Sequence, residues 1–190
     1  MTTAAVGFTV KSGWTAAVLL GGSKDAPEVL DCKRVEISDP NIPDAKQPYH
    51  AGFGTARDAG DELKRLVSSV KSYGRKSVKV VLREYAKHGT LKAAGVVVGS
   101  LIDPNTIGND HIRIHAMEGQ LFRGVVIDAA EKSGFKCTVI RERDLYADAA
   151  KRLKKSESAI RRTLTAIGRE VDGGWRSEQK AAALIAWVLL

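Results

Sequence analysis

The alternation of apolar and polar residues divides the N-terminal part of the chain into three strands. Residues 4–10, 14–20 and 29–37 form apolar runs, and the short segments between them are rich in turn-forming residues. Three successive strands with short links predict an antiparallel meander. The third run mixes apolar with charged residues, which is typical of an outer strand.

A long loop and a helical segment follow the predicted meander. Residues 38–55 contain three of the five prolines, and loops of this length often have a function. Tyr49 and His50 are the candidates for ligand contact in this loop, although the same side chains can instead anchor it on the core. Residues 56–88 keep a helical period of apolar positions, either as one helix or as two that meet at Gly74.

Residues 94–146 predict a strand, a crossover helix and a second strand. The β-branched run at 96–98 precedes a polar loop and a long helical pattern, and a second apolar run covers 137–140. Such βαβ units are right-handed, and open α/β sheets bind ligands at the carboxyl ends of their strands. The sequence therefore predicts a ligand crevice at 99–110 and 141–144.

The rest of the chain has a helical pattern. A short helix is predicted at 147–153, Ser156 is placed to cap the next helix, and Ser177 is placed to cap the last one. The apolar C-terminal run AAALIAWVLL is too short to span a membrane, so we expect it in the core. The order β-β-β-α-β-α-β-α is that of the RNase H-like fold, an α/β architecture with a mixed five-stranded sheet and helices on both faces. We expect residues 1–190 to form a single domain of this type.

The net charge narrows the class of partners. The chain has 30 Lys and Arg residues against 22 Asp and Glu residues, a formal net charge of +8, which favours polyanions such as DNA or structured RNA. The densest cationic cluster consists of Lys151, Arg152, Lys154, Lys155, Arg161 and Arg162. A second set, on one face of the 56–88 helix, consists of Lys64, Arg65, Lys71, Arg75, Lys76, Lys79, Arg83 and Lys87. Each face is either simply solvated or binds phosphate groups.

The sequence lacks the patterns of membrane and secreted proteins. No apolar run reaches the length of a membrane span, and the N-terminus lacks the pattern of a signal peptide. Cys32 and Cys137 are far apart in predicted strands and do not have zinc-site spacing. We therefore expect two buried thiols in a cytoplasmic protein.

Four segments resemble the YqgF-type Holliday-junction resolvases, which have the RNase H-like fold. VVVGSLID at 96–103 resembles a family strand that ends in V-V-G-L-P, and VIRERDLYADAAKRL at 139–153 resembles the segment around D-E-R-L-T-T. AAALIAW at 181–187 is similar to the last helix of the family, and VGFTVKSGWTAAVLL at 6–20 is similar to its opening strands. The resemblance is weakest at 38–90, where this chain has an extended loop and a helical insertion.

The resemblance implies a nuclease site in which carboxylates hold Mg²⁺ or Mn²⁺. Glu142 matches the glutamate of D-E-R, and Glu178 lies near the carboxylate expected on the last helix, so these two are the candidate catalytic metal ligands. Thr9 stands at the position of the first-strand aspartate, and Lys11 replaces a family glycine. A neutral hydroxyl and a positive charge at these positions imply a lapsed or altered catalytic site. The alternative for Glu142 is a structural ion pair with Arg141, Arg143 or Lys180.

The start of the long predicted helix has two further interpretations. His111, His115 and Glu118 share one helix face at a spacing used by metal ligands, although the histidines can instead be hydrogen-bonded at the edge of the sheet. Asn109 and His111 lie where helix N–H groups attract anions, and together with Lys11 they are the candidate phosphate-binding residues.

Two functions from different classes fit these observations. The first is an RNase H-like protein that binds DNA or structured RNA as a lapsed or altered relative of the resolvases. In an active form it would be a divalent-metal-dependent nuclease of the Holliday-junction resolvase type. The second is a non-catalytic scaffold that assembles with itself or with a protein partner. The missing first-strand carboxylate, the 38–55 loop and the apolar C-terminal run motivate the scaffold hypothesis.

Overall fold

The computed structural model describes residues 3–52, 55–57, 59–169 and 171–190, without the side chain of Lys92. A few residues of the predicted 38–55 loop and 56–88 helical segment thus lie outside the described part. The strands are Thr3–Lys11 (β1), Trp14–Gly22 (β2), Pro27–Glu36 (β3), Thr90–Val98 (β4) and Cys137–Arg141 (β5). They form one sheet in the order β3-β2-β1-β4-β5. β1, β2 and β3 pair antiparallel, and β4 and β5 add in parallel to β1, as the pattern predicts.

α-Helices cover both faces of the sheet. They are Asp61–Tyr85 (α1), Asp110–Glu131 (α2), Leu145–Leu153 (α3), Glu157–Ile167 (α4) and Ser177–Leu189 (α5). α1 and α2 pack on one face, and α3, α4 and α5 pack on the other. Because successive strand residues point to opposite faces, β1 contributes Phe8 to the core under α1 and α2, and Ala5 to the core under α3, α4 and α5.

Two paired glycines allow α5 to lie close to the sheet. Gly7 on β1 pairs with Gly95 on β4. A Cβ atom on Gly7 would lie 1.8 Å from the carbonyl oxygen of Ala182, and one on Gly95 would lie 2.3 Å from Cγ1 of Ile185. A side chain at either position would therefore push α5 away from the sheet.

The apolar C-terminal run lies in the core, as predicted. Residues 181–188 are at most 5% exposed, and the indole N–H of Trp187 donates to the carbonyl of Lys24 at 2.9 Å. These residues of α5 thus leave no apolar surface for a partner, which removes one of the motivations for the scaffold hypothesis. None of the described helices combines the length and apolar character that crossing a bilayer requires.

α1 is one continuous helix, which decides between the alternatives at Gly74. A Cβ atom on Gly74 would lie 2.6 Å from Cγ1 of Val125 and 2.8 Å from the carbonyl oxygen of Ile37. The glycine therefore lets α1 approach α2 and the end of the meander. The helix begins at Asp61, later than the pattern predicts, because the preceding segment turns back: Ala56 bridges to His50.

The helix caps are partly as predicted. Ser156 caps α4, since its hydroxyl accepts a hydrogen bond from the N–H of Ala159 at 3.2 Å. The prediction for Ser177 is wrong: the N-cap of α5 is Arg176, whose N–H donates to Oε1 of Gln179 at 3.1 Å. Ser177 is instead the first helical residue, and its hydroxyl donates to a neighbouring carboxylate.

The two thiols lie in strands, as predicted, but each is only half-buried. Cys32 belongs to β3 and Cys137 to β5, and these are the edge strands of the sheet, which have neighbours on one side only. Burial nevertheless raises the pKa of each thiol to about 11. Both thiols are therefore protonated and weakly nucleophilic at neutral pH.

Candidate functional site

The carboxyl ends of the three parallel strands meet at one edge of the sheet. A cleft with a volume of about 310 Å³ lies there, between the ends of β1 and β4 and the side of α2. It is lined by Gly99, Ser100 and Ile102, which belong to the segment 99–110 where the sequence predicts a ligand crevice. Lys11 also lines the cleft and connects it to Glu142, in the second part of that crevice.

An ion pair joins the end of β1 to the segment that follows β5. Nζ of Lys11 donates to Oε2 of Glu142 at 3.3 Å. Both side chains are partly exposed, so the pair adds little to the stability of the fold, but it places a positive charge beside the carboxylate. The ion pair predicted as the alternative role of Glu142 thus exists with a different partner. Arg141 and Arg143 pair with Asp144 instead.

Glu178 lies in the first turn of α5 and is influenced by the same lysine. The pKa of its carboxyl is held below the ordinary value by its own backbone N–H, by the hydroxyl of Ser177 and by the charges of Lys11 and Arg176. Lys11 therefore acts on both carboxylates that the sequence predicts as metal ligands. The structure brings Lys11, Glu142 and Glu178 to one end of the sheet.

Thr9 lies on the same face of β1 as Lys11, because it is two positions earlier in the strand. The residue is 1% exposed, and its hydroxyl has no hydrogen-bond partner among the described residues. A buried hydroxyl without a partner costs about 1–3 kcal/mol. This position is therefore not optimised for the stability of the fold.

No family model matches the sequence, and no curated protein sequence does. Solved structures do match. The Thermus thermophilus RuvC structure has a TM-score of 0.56 and 14% sequence identity, over 97% of this chain and 92% of that chain. T. thermophilus RuvC in complex with Holliday junction substrate has a TM-score of 0.57 and 14% identity, over 98% of this chain and 91% of that chain. The chain has the RNase H-like fold. The predicted fold class is thereby confirmed.

The fold brings Lys11, Glu142 and Glu178 to one end of the sheet, with Thr9 on the same strand face as Lys11. These residues do not fit a carboxylate site for two metal ions. Mg²⁺ and Mn²⁺ need several oxygen ligands, and negative charge near the ions favours their binding. Thr9 offers only a neutral hydroxyl, and the ammonium of Lys11 repels a cation from Glu142 and Glu178. Hydrolysis through two metal ions is not the chemistry that these residues support.

The cleft beside Lys11 is cationic. Arg123 of α2 lines it and donates from Nη1 to the carbonyl of Ser100 at 3.1 Å. Burial lowers the pKa of this guanidinium, which nevertheless stays charged at neutral pH. Among the described residues, those that line the cleft include Lys11, Arg123 and His115 and no carboxylate. Such a lining fits an anionic group such as a phosphate.

The other two residues predicted to bind phosphate have local partners. Oδ1 of Asn109 accepts a hydrogen bond from the N–H of Ile112 at 3.1 Å and thereby caps α2. Nε2 of His111 lies 3.2 Å from Nε2 of His115. Neither Asn109 nor His111 is among the residues that line the described cleft. Their role as phosphate ligands stays a prediction.

Three of the four histidines gather at the start of α2. His111 and His115 are one helical turn apart, and His50 of the predicted 38–55 loop joins them, with its ring centroid 5.1 Å from that of His115. One ring nitrogen from each histidine lies within 4.8 Å of the other two. Burial and the neighbouring rings of His111 and His50 lower the pKa of His115.

Glu118 lies on α2 three residues after His115, and its side chain is buried in the core. It is 1% exposed, and its Oε1 is 2.7 Å from Nδ1 of His50, while Oε2 has no hydrogen-bond partner among the described residues. Burial raises the pKa of this carboxyl, and the hydrogen bond with His50 opposes that rise. Tyr49, by contrast, packs against the core, as the anchoring alternative predicts.

The cationic cluster of α3 and α4 is close to the candidate site along the chain, because α3 begins directly after Asp144. Half of its six cations have ion-pair partners: Arg152 with Asp148, Lys155 with Asp25, and Arg161 with Glu157. Lys151, Lys154 and Arg162 are exposed and have no ion pair within the described ranges. Their positive charges are therefore free to interact with an anion.

The second cationic face lies along α1, on the other side of the sheet. Arg75 pairs with Asp128, and Lys64 pairs with Asp61. The remaining cations have no ion pair in the described part of the chain: Arg65, Lys71, Lys76, Lys79, Arg83 and Lys87. Because the sheet separates this face from α3 and α4, the two basic faces are separate candidate surfaces.

The sequence pattern does not identify Arg123 as a site residue, and it does not connect Glu118 with His50. The signal for Glu118 is its position between Ile114 and Phe122, in the apolar stripe of α2, where a carboxylate needs a buried partner. Arg123 gave no such signal. It contacts the loop after β4, and contacts of this kind depend on the tertiary fold.

Proposed function

We propose that this chain binds DNA or structured RNA through α3 and α4, and that it is a catalytically lapsed relative of the YqgF-type resolvases. The observation that carries the proposal is the exposed set Lys151, Lys154 and Arg162, which has no ion-pair partner in the described ranges. Cations without protein partners can neutralise phosphates and release counterions, which is the main source of affinity for nucleic acid.

The position of α3 favours this surface over the basic face of α1. α3 follows the carboxyl end of β5 after one short turn, so its cations are close in the chain to the end of the sheet where Lys11 and Glu142 pair. T. thermophilus RuvC, which shares the fold, has been solved in complex with Holliday junction substrate. A four-way DNA junction is therefore the first ligand to test.

Binding is tested by fluorescence anisotropy at low salt with a labelled four-way junction, a duplex of the same sequence and an RNA hairpin. A variant that carries Lys151→Glu, Lys154→Glu and Arg162→Glu is expected to lose binding. A control with the same change of charge on α1, Lys71→Glu, Lys76→Glu and Arg83→Glu, is expected to retain it. If the wild type binds none of the ligands, or if only the α1 variant loses binding, the proposal is wrong.

The catalytic part of the proposal is tested separately with the same junction and RNA in Mg²⁺ or Mn²⁺. We expect no cleavage, because Lys11 pairs with Glu142 and repels a metal cation, and Thr9 supplies no carboxylate. Metal-dependent cleavage that disappears in Glu142→Gln would instead show an active nuclease of the Holliday-junction resolvase type.

A second candidate function, self-association as a scaffold, is favoured by one observation. Three large apolar side chains are exposed near the start of α2. Leu101 (49%) and Ile102 (57%) lie in the loop after β4, and Ile112 (57%) lies in the first turn of α2. Exposed apolar residues of this size can form an interface. Light scattering across a range of protein concentrations should then show a dimer that Ile102→Ser with Ile112→Ser abolishes. A monomer at every concentration would exclude this function.

A further inference from the structure

Three imidazole rings converge from two distant parts of the chain. His111 and His115 project from neighbouring turns of α2, with their Nε2 atoms 3.2 Å apart, and both are exposed. His50 comes from the segment between β3 and α1 and is half-buried. One nitrogen of each ring lies within 4.8 Å of the other two. Three nitrogen donors this close together are a candidate ligand set for a metal ion.

The backbone around His50 is held in place by its own hydrogen bonds. The N–H of His50 donates to the carbonyl of Gln47 at 3.0 Å. The carbonyl of Tyr49 accepts from Arg57 at 2.7 Å, and the N–H of Ala51 donates to Thr55 at 2.8 Å. The ring of His50 is therefore presented to α2 by a structured segment, which reduces the cost of assembling the three rings around a ligand.

Glu118 adds the feature that distinguishes a built metal site from a chance group of histidines. A carboxylate that is 1% exposed is expensive to bury, and its hydrogen-bond partner is Nδ1 of His50, at 2.7 Å. When Glu118 is ionised it can only accept this hydrogen bond, so in a neutral His50 the proton is on Nδ1 and Nε2 keeps the lone pair. Carboxylates that hold a metal-binding histidine in this way fix its tautomer and orientation.

We propose that His50, His111 and His115 bind one divalent transition-metal ion of the Zn²⁺ type, and that Glu118 is the positioning residue for His50. This site is separate from the proposed nucleic-acid surface on α3 and α4. It also uses none of the carboxylates that the resemblance to the resolvases implies as metal ligands.

The ligand chemistry selects the class of metal ion. Imidazole nitrogens suit Zn²⁺, Ni²⁺, Cu²⁺ and Co²⁺, whereas Mg²⁺ prefers oxygen ligands. Two nitrogens on a tetrahedral Zn²⁺ ion are about 3.4 Å apart, given Zn–N bonds of about 2.0–2.1 Å. The separation of His111 and His115 is already close to that value, and their exposed rings can rotate to complete the set.

Three protein ligands leave a fourth coordination position for water or an anion. His115 also lines the cleft that contains Lys11 and Arg123. An ion bound to the three histidines would therefore lie beside a cationic cleft, and an anion in that cleft is the class of fourth ligand that the surroundings favour.

The site is tested with the full chain, freed of any purification tag and of metal. Zn²⁺ is titrated against a chromophoric chelator, and Co²⁺ is added separately to record its visible absorption. We expect one Zn²⁺ per chain and the intense Co²⁺ bands of a four-coordinate site. Absence of stoichiometric Zn²⁺ binding would overturn the proposal.

Single substitutions identify the ligands. His111→Ala and His115→Ala should each weaken Zn²⁺ binding by more than the roughly 100-fold that loss of an outer partner can cost. His50→Gln should do the same, and it keeps an amide donor for Glu118, so the variant is expected to fold. His88→Ala is the matched control, since His88 is the one remaining histidine of the sequence, and it should bind as the wild type does.

Glu118→Gln separates positioning from ligation. It should weaken Zn²⁺ binding by about 10–100-fold while keeping one ion per chain and a four-coordinate Co²⁺ spectrum. Circular dichroism checks that each variant is folded. Unchanged binding in His50→Gln would show that the helical pair acts alone, and equal loss in His88→Ala would show unspecific binding. Either result would overturn the three-histidine site.

Discussion

The ammonium of Lys11 lies 3.3 Å from Oε2 of Glu142, and its charge adds to the backbone and Ser177 hydrogen bonds that lower the pKa of Glu178. A residue of the chain thus supplies positive charge to the two carboxylates that a resolvase-type site would use for metal. A tethered lysine cannot activate a water molecule as a metal ion does. The crevice therefore differs from a resolvase-type metal site in two ways: it lacks the carboxylate of the first strand, and it has a lysine beside the carboxylates that remain.

The first prediction restores the missing ligand and removes the lysine. Thr9→Asp combined with Lys11→Gly gives the crevice a third carboxylate, so Mn²⁺ should raise the melting temperature by roughly 2–4 °C for each kcal/mol of binding. Thermal unfolding with Mn²⁺ and with EDTA measures the effect. The reference protein keeps Thr9 and Lys11. The variant and the reference both carry His115→Ala, so that the histidine cluster does not contribute to metal binding. An equal shift in the reference would show that Lys11 does not exclude metal.

The second prediction concerns the hydroxyl of Thr9, which is buried and has no partner in the described structure. Thr9→Val keeps the shape of the side chain and removes this unsatisfied group, so the free energy of unfolding should rise by about 1 kcal/mol. Thr15→Val is the control, because the hydroxyl of Thr15 donates to the carbonyl of Thr9 at 3.0 Å. It should lower the stability by about 1 kcal/mol. Urea denaturation distinguishes the two signs.

The parts of the fold that depend on local pattern could be predicted from the sequence. The runs at 4–10 and 14–20 are separated by a turn, so their antiparallel pairing follows from local residues. The strand at 96–98 and the helix after it also predict the parallel unit and the crevice beside Gly99. Alternation, period and turn composition are all contained in a few neighbouring residues.

Contacts between distant segments could not be predicted in this way. His50 and Glu118 are 68 residues apart, and no periodicity connects a loop to a helix face. The partner of Glu142 is Lys11 rather than a neighbouring arginine, because β1 and β5 end at the same edge of the sheet. The resemblance to resolvases placed these residues near one another, but it did not predict their pairing.

The third prediction tests the close approach of α5 to the sheet. A Cβ atom on Gly7 would lie 1.8 Å from a backbone oxygen of α5, which cannot move without shifting the helix. Gly7→Ala should therefore lower the free energy of unfolding by about 3 kcal/mol or more. Gly124→Ala is the control: nothing lies within 4 Å of its Cβ position on α2, and alanine should stabilise the helix by about 0.5–1 kcal/mol. Urea denaturation of both variants measures the difference.

The fourth prediction is a pH dependence that arises from Asp128. The hydrogen bond from Lys132 and the charge of Arg75 lower the pKa of Asp128 in the folded state. A lowered pKa stabilises the fold above the unfolded-state pKa of about 3.9, and this stabilisation is lost as the pH falls through the folded-state value. Asp128→Asn should thus be less stable than the wild type at pH 7, by at most about 1 kcal/mol for such a surface pair.

The difference between Asp128→Asn and the wild type should shrink as the pH falls below about 4, because Asp128 is then protonated in the unfolded chain and, at lower pH, in the folded one. Urea denaturation between pH 3 and pH 7 follows it. Asp172→Asn is the control, since Asp172 is exposed and has no ion pair within the described ranges. A difference that stayed constant with pH would contradict the electrostatic origin.

The fifth prediction concerns the number of phosphates that α3 and α4 contact. Affinity falls as salt rises, and each phosphate that a cation neutralises adds roughly 0.9 to the magnitude of this negative slope of log affinity against log salt on duplex DNA. Replacing Lys151, Lys154 and Arg162 with alanine should therefore reduce the magnitude of the slope by roughly 0.9 for each phosphate that is no longer neutralised.

Arg152→Ala serves for comparison, because Asp148 already lies 3.7 Å from its guanidinium and competes with phosphate. The single variant should change the slope less than Lys151→Ala does. If the triple variant keeps the wild-type slope, the phosphates bind to another surface, and the unpaired cations of α1 become the site to test.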